Sequence, residues 1–320
     1  MTVRHMTHTA YLFPGQGSQT VGMGQTLAEA YAIARDTFAE ADAILGFALS
    51  ALCFEGPAET LTETHNAQPA LLTTSIAALR ALQTARPDLP PPCCVAGHSL
   101  GEYSALVATG ALSFADAVRL THVRGELMAQ AGAAHPGGMA AILRLEDDQV
   151  AVLCAQAAAE SGDVVQPANY NAPGQVVISG GPAGIAAAVA LAKAVGGRAI
   201  PLAVSIAAHS ALMAPITANF AAHLAATPFT TPRFPVIGNV QAAPLATAAE
   251  IRQELVAQLT APVCWTASVA YMAQAGATRF IEIGPGNVLT GLVKRIDGNV
   301  KTANVATAEE IEAFTSNEYT

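Results

Sequence analysis

The chain has 320 residues, of which 52% are hydrophobic and 12% are charged, and its formal net charge is -9. That length allows one large domain, or a large and a small one, and the apolar fraction fills a sizeable core. The acidic balance, with no local cluster of Lys or Arg, argues against nucleic acid as a partner. No apolar run approaches the length of a membrane span, so we expect no membrane association.

The cysteines and the N-terminus both favour a cytoplasmic protein. The five Cys residues are scattered without C-x-x-C spacing, which is typical of reduced, mostly buried thiols. Residues 1–10 are polar and lack the apolar core of a secretory signal, so we expect a loose arm there.

The first part of the chain alternates short apolar runs with longer helical patterns. Residues 11–13 predict a strand, which a Gly-rich loop at 14–19 follows at once. A second short apolar run, at 93–96, predicts another strand. Apolar periodicity and a capping pattern at Ser113 predict three longer helices, over residues 27–45, 68–84 and 114–131.

The segment Gly97-His98-Ser99-Leu100-Gly101 joins the second strand to a helical stretch. G-x-S-x-G between strand and helix is the context of a nucleophile elbow, in which a strained turn pushes the serine hydroxyl clear of the backbone. Gly97 and Gly101 would then lie where no Cβ fits, and the N–H of Leu100 would face a developing oxyanion. The alternative is a plain Gly-rich turn, because the bare motif often occurs by chance.

After a boundary near 135–138, the pattern of strands and helices becomes βαββαβ, the split unit of a ferredoxin-like module. Beyond it the alternation of single strands and helices resumes. We predict an α/β fold with a mostly parallel sheet: an α/β-hydrolase-like large domain with an inserted ferredoxin-like small domain. The large domain comprises residues 10–132 and 204–308 and the small one 133–203, and we expect fraying after Glu309.

A nucleophilic serine needs a base, and the chain has eight His residues. His209 is the most suggestive, because it lies where the chain returns from the small module and can hang over the elbow. A structural histidine fits the same position equally well. Arg124 lies in mid-helix among apolar neighbours, which suits either a helix-surface arginine or a fork for a substrate carboxylate. The residues alone leave both questions open.

The loop Gly15-Gln16-Gly17 contains neither G-K-[ST] nor a complete G-x-G-x-x-G, so we do not expect it to bind a nucleotide. A backbone N–H of this loop can instead supply a second oxyanion donor. No His, Cys, Asp and Glu set has metal-ligand spacing, and we expect neither a metal nor a cofactor.

Together these motifs resemble the malonyl-CoA:acyl carrier protein transacylases of bacterial fatty acid synthesis, stand-alone enzymes related to the acyltransferase domains of polyketide synthases. They follow the family's order from residue 11 to about residue 296. The matching stretches are Phe13-Pro14-Gly15-Gln16-Gly17-Ser18-Gln19, Gln68-Pro69-Ala70-Leu71-Leu72, the run from Gly97 to Leu106, Arg124-Gly125-x-x-Met128, Asn169-Tyr170-Asn171-Ala172-Pro173-Gly174-Gln175, His209-Ser210-Ala211-Leu212-Met213, Gln258-Leu259-x-x-Pro262-Val263-x-Trp265 and Glu282-Ile283-Gly284-Pro285-Gly286.

The resemblance implies roles for the catalytic residues. Ser99 would take the acyl group as an ester, and His209 would act as general base and then as general acid. A backbone carbonyl commonly orients this histidine in the family, and the segment around Gln258 is the matching place. The N–H groups of Gln16 and Leu100 would form the oxyanion hole.

The resemblance also implies how substrate is recognised. Arg124 would clamp the free carboxylate of malonyl, and Gln258 and Asn169 are further candidates for substrate binding. Ala208, just before His209, occupies a position that tracks extender choice in the polyketide relatives. Alanine leaves room there, so slightly larger α-substituted malonyl groups stay open as substrates.

The implied function is ping-pong transfer of malonyl from malonyl-CoA to the phosphopantetheine thiol of acyl carrier protein, for fatty acid or polyketide synthesis, by a monomer. One alternative is an acyl thioester hydrolase on the same scaffold, although such hydrolases usually lack the arginine that Arg124 matches. Another is a non-catalytic docking module for carrier protein, against which the intact set of Ser99, His209 and Arg124 counts.

Overall fold

A six-stranded sheet runs through the larger part of the molecule. The computed structural model describes residues 8–204 and 206–314. Every pair of neighbouring strands in this sheet is parallel except the last, which confirms the prediction of a mostly parallel sheet. The strands are, in order across the sheet, β10 (Lys301–Val305), β9 (Arg279–Ile283), β1 (Thr9–Phe13), β2 (Cys94–Gly97), β7 (Val236–Ile237) and β8 (Pro244–Leu245).

The strand β1 lies at the centre of this sheet, between β9 and β2, and all five of its residues are buried. Burial on both faces explains why its sequence is apolar without alternation. Phe13 pairs with Gly97, so the two strands end side by side. The Gly-rich loop after β1 and the elbow after β2 therefore leave the sheet at the same edge, where parallel sheets commonly hold their ligands.

Helices cover this sheet, and the longest are largely buried in the main core. None of the helices within 8–204 and 206–314 has both the length and the apolar character that crossing a bilayer requires. The helices associated with this sheet are α1 (Gln25–Ala30), α2 (Ala32–Leu45), α3 (Leu49–Glu55), α4 (Ala58–Thr62), α5 (Thr64–Ala85), α6 (Gly101–Ala108), α7 (Phe114–Ala134), α10 (Ala214–Ala226), α11 (Ala248–Ala257), α12 (Trp265–Gln274), α13 (Val288–Ile296) and α14 (Ala308–Ala313), with a 3-10 turn at Ala211–Met213.

A second, antiparallel sheet is inserted between α7 and α10, and two helices pack with it around a core of their own. Its elements follow the predicted βαββαβ order, with strands arranged β4-β5-β3-β6 as in a ferredoxin-like module. The limits 133–203 for a small domain stay a prediction. The elements are β3 (Gly138–Leu143), α8 (Asp147–Ser161), β4 (Val165–Ala172), β5 (Gln175–Gly180), α9 (Pro182–Ala194) and β6 (Arg198–Pro201).

The predicted single helix over 27–45 is wrong, because the structure has two helices that meet at Tyr31. This residue is extended, with φ of -122° and ψ of 116°, and ends α1 while beginning α2. Its N–H still donates to the Leu27 carbonyl, and its own carbonyl accepts from Ala34 and Arg35. One extended residue changes the direction of the chain without interrupting the apolar spacing that periodicity detects.

The prediction of fraying after Glu309 is also wrong for residues 310–314, and its remainder, at 315–320, lies outside the described residues. Thr307 and Glu310 form a reciprocal capping box at the start of α14. Ile311 and Phe314 are then buried in the main core. At the other end, Thr9 and Ala10 are buried in β1 rather than part of a loose arm, and the rest of that expectation, at 1–7, lies outside the described residues.

The elbow is so tight that its two glycines meet. A Cβ placed on Gly97 would lie 1.9 Å from the Gly101 carbonyl carbon, and one on Gly101 would lie 2.1 Å from the carbonyl oxygen of Phe13. Backbone atoms of β1, β2 and α6 thus touch directly, and the turn is locked to the end of the central strand.

We expect Gly97→Ala to lower the free energy of unfolding by about 3 kcal/mol, the upper part of the range for an overpacked interior. The reason is that the new methyl group overlaps backbone, which cannot rotate away. Gly291→Ala is the matched control, because a Cβ at that position in α13 meets nothing within 4 Å. Chemical denaturation of both variants checks this, and equal stabilities would contradict it.

Candidate active site

The side chain of Ser99 projects from the elbow between β2 and α6. Its φ is 49°, in the left-handed region that costs a non-glycine residue energy. Hydrogen bonds hold both of its backbone groups: the N–H donates to Asn239 Oδ1 at 2.7 Å, and the carbonyl accepts from Gln258 Nε2 at 3.1 Å. The strained conformation is therefore fixed from two sides.

His209 lies over this serine, on the segment that returns from the small sheet. It is 3% exposed, and its own φ of 59° is also left-handed. Its Nδ1 lies 2.7 Å from the Gln258 carbonyl oxygen, and its Nε2 lies 2.8 Å from Ser99 Oγ. A carbonyl can only accept, so Nδ1 carries the proton and donates it. In the neutral ring Nε2 is then free to accept from the Ser99 hydroxyl.

Burial lowers the pKa of His209 from 6.5 to about 3, and the positive charge of Arg124 lowers it further as the second cause. Desolvation disfavours the charged ring, and a nearby cation disfavours it again. The ring is consequently neutral near pH 7, which is the state that can take a proton from Ser99.

Arg124, on α7, extends into the same space and is only 2% exposed. Its guanidinium donates to Gln68 Oε1 at 2.8 Å and to Gln258 Oε1 at 2.9 Å, and Nη2 lies 3.3 Å from Ser99 Oγ. All three acceptors are neutral, and no carboxylate within the described residues lies within salt-bridge distance of Arg124. Of the two sequence-based interpretations, the exposed helix-surface arginine is excluded.

Gln258 lies just after α11 and contacts every member of the group. Its carbonyl binds His209 and its side-chain oxygen binds Arg124, while its side-chain nitrogen donates to the Ser99 carbonyl and to Glu102 Oε2 at 2.9 Å. The carbonyl contact is the one that the family resemblance implies.

Glu102 is fully buried beneath the site, on α6. Its Oε2 accepts from the backbone N–H of Asn239 at 3.1 Å as well as from Gln258. Burial first, and then the charge of Glu254, raises the pKa of the Glu102 carboxyl well above its usual value. This shift favours the neutral form of the carboxyl, in which it would not cancel the charge of Arg124.

The two expected oxyanion donors lie on segments that adjoin Ser99. Leu100 follows Ser99 at the start of α6, and Gly15 packs so closely on the elbow that its Cβ would lie 2.4 Å from the His98 carbonyl oxygen. Within the part of the chain that the structure describes, the N–H groups of Gln16 and Leu100 donate no hydrogen bond to protein. Both are thus available to a ligand.

The structure leaves Asn169 and Ala208 less involved than the other predicted residues. Asn169 is buried on β4, where its backbone bridges to Val263, and its side chain makes no hydrogen bond to another described residue. Ala208 is half-buried next to His209 and packs against the main core. His98 turns its ring toward Asn171, with Nε2 2.8 Å from Oδ1, rather than joining the group at Ser99.

Sequence reasoning missed the residues that hold the site together: Gln68, Glu102, Gln166 and Asn239. Gln166, on β4, donates to the carbonyls of His209 and Thr260 at 3.3 and 3.1 Å. Gln68 and Glu102 lie within the motifs quoted above, so polar residues embedded in otherwise apolar motifs were a usable signal. Nothing in the spacing marks Asn239 or Gln166.

Among residues 8–204 and 206–314 there is no group of three or more His, Cys, Asp or Glu side chains that could hold a metal ion. The side chains that meet at the site are a hydroxyl, a neutral imidazole and a guanidinium. A hydroxyl bound to a neutral imidazole can attack a carbonyl carbon, and the guanidinium beside it can bind a carboxylate.

Comparison with known proteins identifies the same family along almost the whole chain. The acyl transferase domain family matches residues 10–313. The chain is 50% identical over 292 residues to the malonyl CoA-acyl carrier protein transacylase of Escherichia coli strain K12, which covers 91% of this chain and 93% of the relative. It is 48% identical over 310 residues to the Bacillus subtilis strain 168 protein of the same name, with 96% of both chains covered.

Solved structures agree with the sequence relatives. The acyl carrier protein S-malonyltransferase of Vibrio cholerae has a TM-score of 0.92 and 46% identity, covering 96% of this chain and 99% of that one. A holo complex of a type II polyketide synthase acyl carrier protein with its malonyl-transacylase also has a TM-score of 0.92, with 42% identity and coverage of 97% and 99%. The mixed α/β architecture is thus that of known malonyltransferases.

We expect the ring of His209 to stay neutral from pH 8 down to pH 5, because its pKa of about 3 lies below that range. Imidazole gains its proton as the pH falls through the pKa, so no titration should appear near 6.5, the ordinary value. Ring nitrogen chemical shifts measured by NMR check this, with His209→Gln used to assign the signal. A midpoint near 6.5 would contradict it.

Proposed function

The chain belongs to the acyl transferase domain family and is an acyltransferase, and we propose that it transfers malonyl from malonyl-CoA to the phosphopantetheine thiol of acyl carrier protein through an ester on Ser99. The transacylases named for this reaction in Escherichia coli and Bacillus subtilis support the substrates. The complex of a related malonyl-transacylase with its carrier protein supports the acceptor.

One observation carries the proposal: Ser99 Oγ lies 2.8 Å from the neutral imidazole of His209 and 3.3 Å from the guanidinium of Arg124. A nucleophile, its base and a buried cation thus meet at one oxygen atom. An acyl group attached there would carry its free carboxylate into reach of Arg124.

In the first half-reaction, Ser99 Oγ attacks the thioester carbonyl of malonyl-CoA while His209 Nε2 takes the hydroxyl proton. The carbonyl oxygen becomes an oxyanion, which the N–H groups of Gln16 and Leu100 stabilise. The intermediate then collapses, the C–S bond breaks, and CoA leaves with the proton that His209 held. Ser99 is left as a malonyl ester.

In the second half-reaction, the phosphopantetheine thiol of the carrier protein gives its proton to His209 and attacks the ester carbonyl. The C–O bond to Ser99 breaks, and His209 returns the proton to the serine oxygen. The Gln258 carbonyl stabilises the ring while it carries both protons. The steps require no metal and no cofactor, and they require that water does not reach the ester in between.

Arg124 would select malonyl for two physical reasons. A carboxylate can replace the neutral contacts of its guanidinium with a charge-assisted bidentate pair. The same carboxylate offsets the positive charge of Arg124, which lowers the pKa of His209. Binding of malonyl would therefore raise the pKa of His209 and make it a stronger base. Acetyl has no free carboxylate and supplies neither effect. Separately, the small side chain of Ala208 would leave room for a modest substituent on the malonyl group.

We expect Ser99 to gain one malonyl group when the enzyme is mixed briefly with malonyl-CoA, and to lose it on addition of holo acyl carrier protein. Intact-protein mass spectrometry checks this, with Ser99→Ala as the control that forms no adduct. An adduct that vanishes in buffer without carrier protein would indicate a thioester hydrolase. If the wild type formed no adduct, the proposal would be refuted, and a non-catalytic docking module for carrier protein would remain.

We expect Arg124→Ala to lower the preference for malonyl-CoA over acetyl-CoA about 100-fold, which corresponds to about 3 kcal/mol. Competing acyl-enzyme formation, measured by mass spectrometry from equimolar donors, checks this. Arg119→Ala is the matched control, because Arg119 lies on the same helix but pairs with Asp116 at the surface. Unchanged preference in Arg124→Ala would contradict the carboxylate clamp.

A further inference from the structure

The sheet stops pairing just where the elbow begins. Residues of β2 and β7 are in register at Val95 with Val236 and at Ala96 with Ile237. The register between β2 and β7 ends at this pair, and the N–H of Gly238 donates to the carbonyl of Ala243, on the β8 side. On its β7 side the elbow would therefore lack a paired backbone at the point where it is most strained.

The side chain of Asn239 occupies that place. Its Nδ2 donates to the Gly97 carbonyl oxygen at 2.7 Å, and its Oδ1 accepts from the Ser99 N–H at 2.7 Å. A carboxamide carries both N–H donors and a carbonyl oxygen that accepts, as a peptide group does. The side chain thus continues the ladder of the sheet across both ends of the turn.

Only one orientation of this amide satisfies both contacts. With oxygen and nitrogen exchanged, two donors would face each other at Ser99 and two acceptors at Gly97. The backbone of Asn239 is itself anchored, because its N–H donates to Glu102 Oε2 at 3.1 Å and its carbonyl accepts from the Cys264 N–H at 2.7 Å. The residue is fully buried, so no water competes for these bonds.

We propose that Asn239 is a positioning residue that holds Ser99 in its left-handed conformation, with the hydroxyl aimed at His209. This rests on the proposed function, in which Ser99 is the nucleophile. Asn239 takes up the N–H of Ser99, and Gln258 takes up its carbonyl, so the backbone cannot rotate the side chain away from the base. Loss of the amide leaves two buried backbone groups unpaired, which the chain can relieve only by moving the turn.

The test is single-turnover acylation by saturating malonyl-CoA, followed by rapid quenching and intact-protein mass spectrometry. We expect Asn239→Ala to lower the rate constant about 100-fold, as small misplacements of reacting groups do. The concentration that gives half the maximal rate and the preference for malonyl over acetyl should stay unchanged, because Arg124 keeps its contacts with Gln68 and Gln258.

The amplitude of the reaction separates positioning from loss of fold. Unfolded molecules lower the fraction that becomes acylated, whereas a misplaced Ser99 lowers the rate constant of the molecules that remain folded. Asn304→Ala is the matched control: it removes an amide of the same sheet that also makes hydrogen bonds, to Gly286 and Thr290, but on β10. Its rate constant should equal that of the wild type.

Asn239→Asp keeps the oxygen that accepts from the Ser99 N–H but places a second acceptor against the Gly97 carbonyl, so its rate constant should also fall below that of the wild type. Wild-type rate constants in both variants would overturn the proposal, and so would a fall matched by the control. If the wild type itself formed no malonyl ester, the proposed function would fail instead, which keeps the two results apart.

Discussion

A buried guanidinium that pairs with no carboxylate among the described residues is the constraint around which this site is built. Arg124 lies in the interior, and burial lowers its pKa, yet arginine stays protonated in proteins. An isolated buried charge costs several kcal/mol unless polar groups surround it. Here the amide oxygens of Gln68 and Gln258 do so, and Tyr103 turns its ring toward the guanidinium at 5.7 Å. Neutral partners stabilise the charge without neutralising it, which leaves it available to a carboxylate from outside.

The neutrality of the surroundings depends on Glu102, since an ionised carboxylate there would compete for the same cation. Burial first, and then the charge of Glu254, raises the pKa of its carboxyl well above the usual value, which favours the neutral form. Gln258 separates the two groups, accepting from Arg124 and donating to Glu102. The same amide residue orients His209 through its carbonyl. The guanidinium of Arg124, the ring of His209 and the backbone of Ser99 are thus all held by contacts with one glutamine.

Much of the fold and part of the site could be predicted from the sequence. The helices predicted over 68–84 and 114–131, the mostly parallel sheet and the βαββαβ insertion follow from apolar patterns that the structure confirms. The strand β8 has two residues, which is too short for any period, and β10 carries a mixed polar surface. The elbow was visible because its glycines and serine are local. His209 and Asn239 contact Ser99 across 110 and 140 residues of sequence, and no local pattern encodes such pairings.

The antiparallel sheet has a part in the site that neither spacing nor motif suggested. Gln166 of β4 donates to the His209 carbonyl and to the Thr260 carbonyl, and it accepts from the Ala211 N–H. Gln166 therefore holds both the segment that carries His209 and the segment at Thr260, which follows Gln258. Ser99 and Arg124 are held from the parallel sheet and its helices, whereas His209 is held partly from the inserted one. Because the distance of 2.8 Å between Ser99 Oγ and His209 Nε2 spans these two supports, the packing of the small sheet against the large one contributes to bringing the two side chains together.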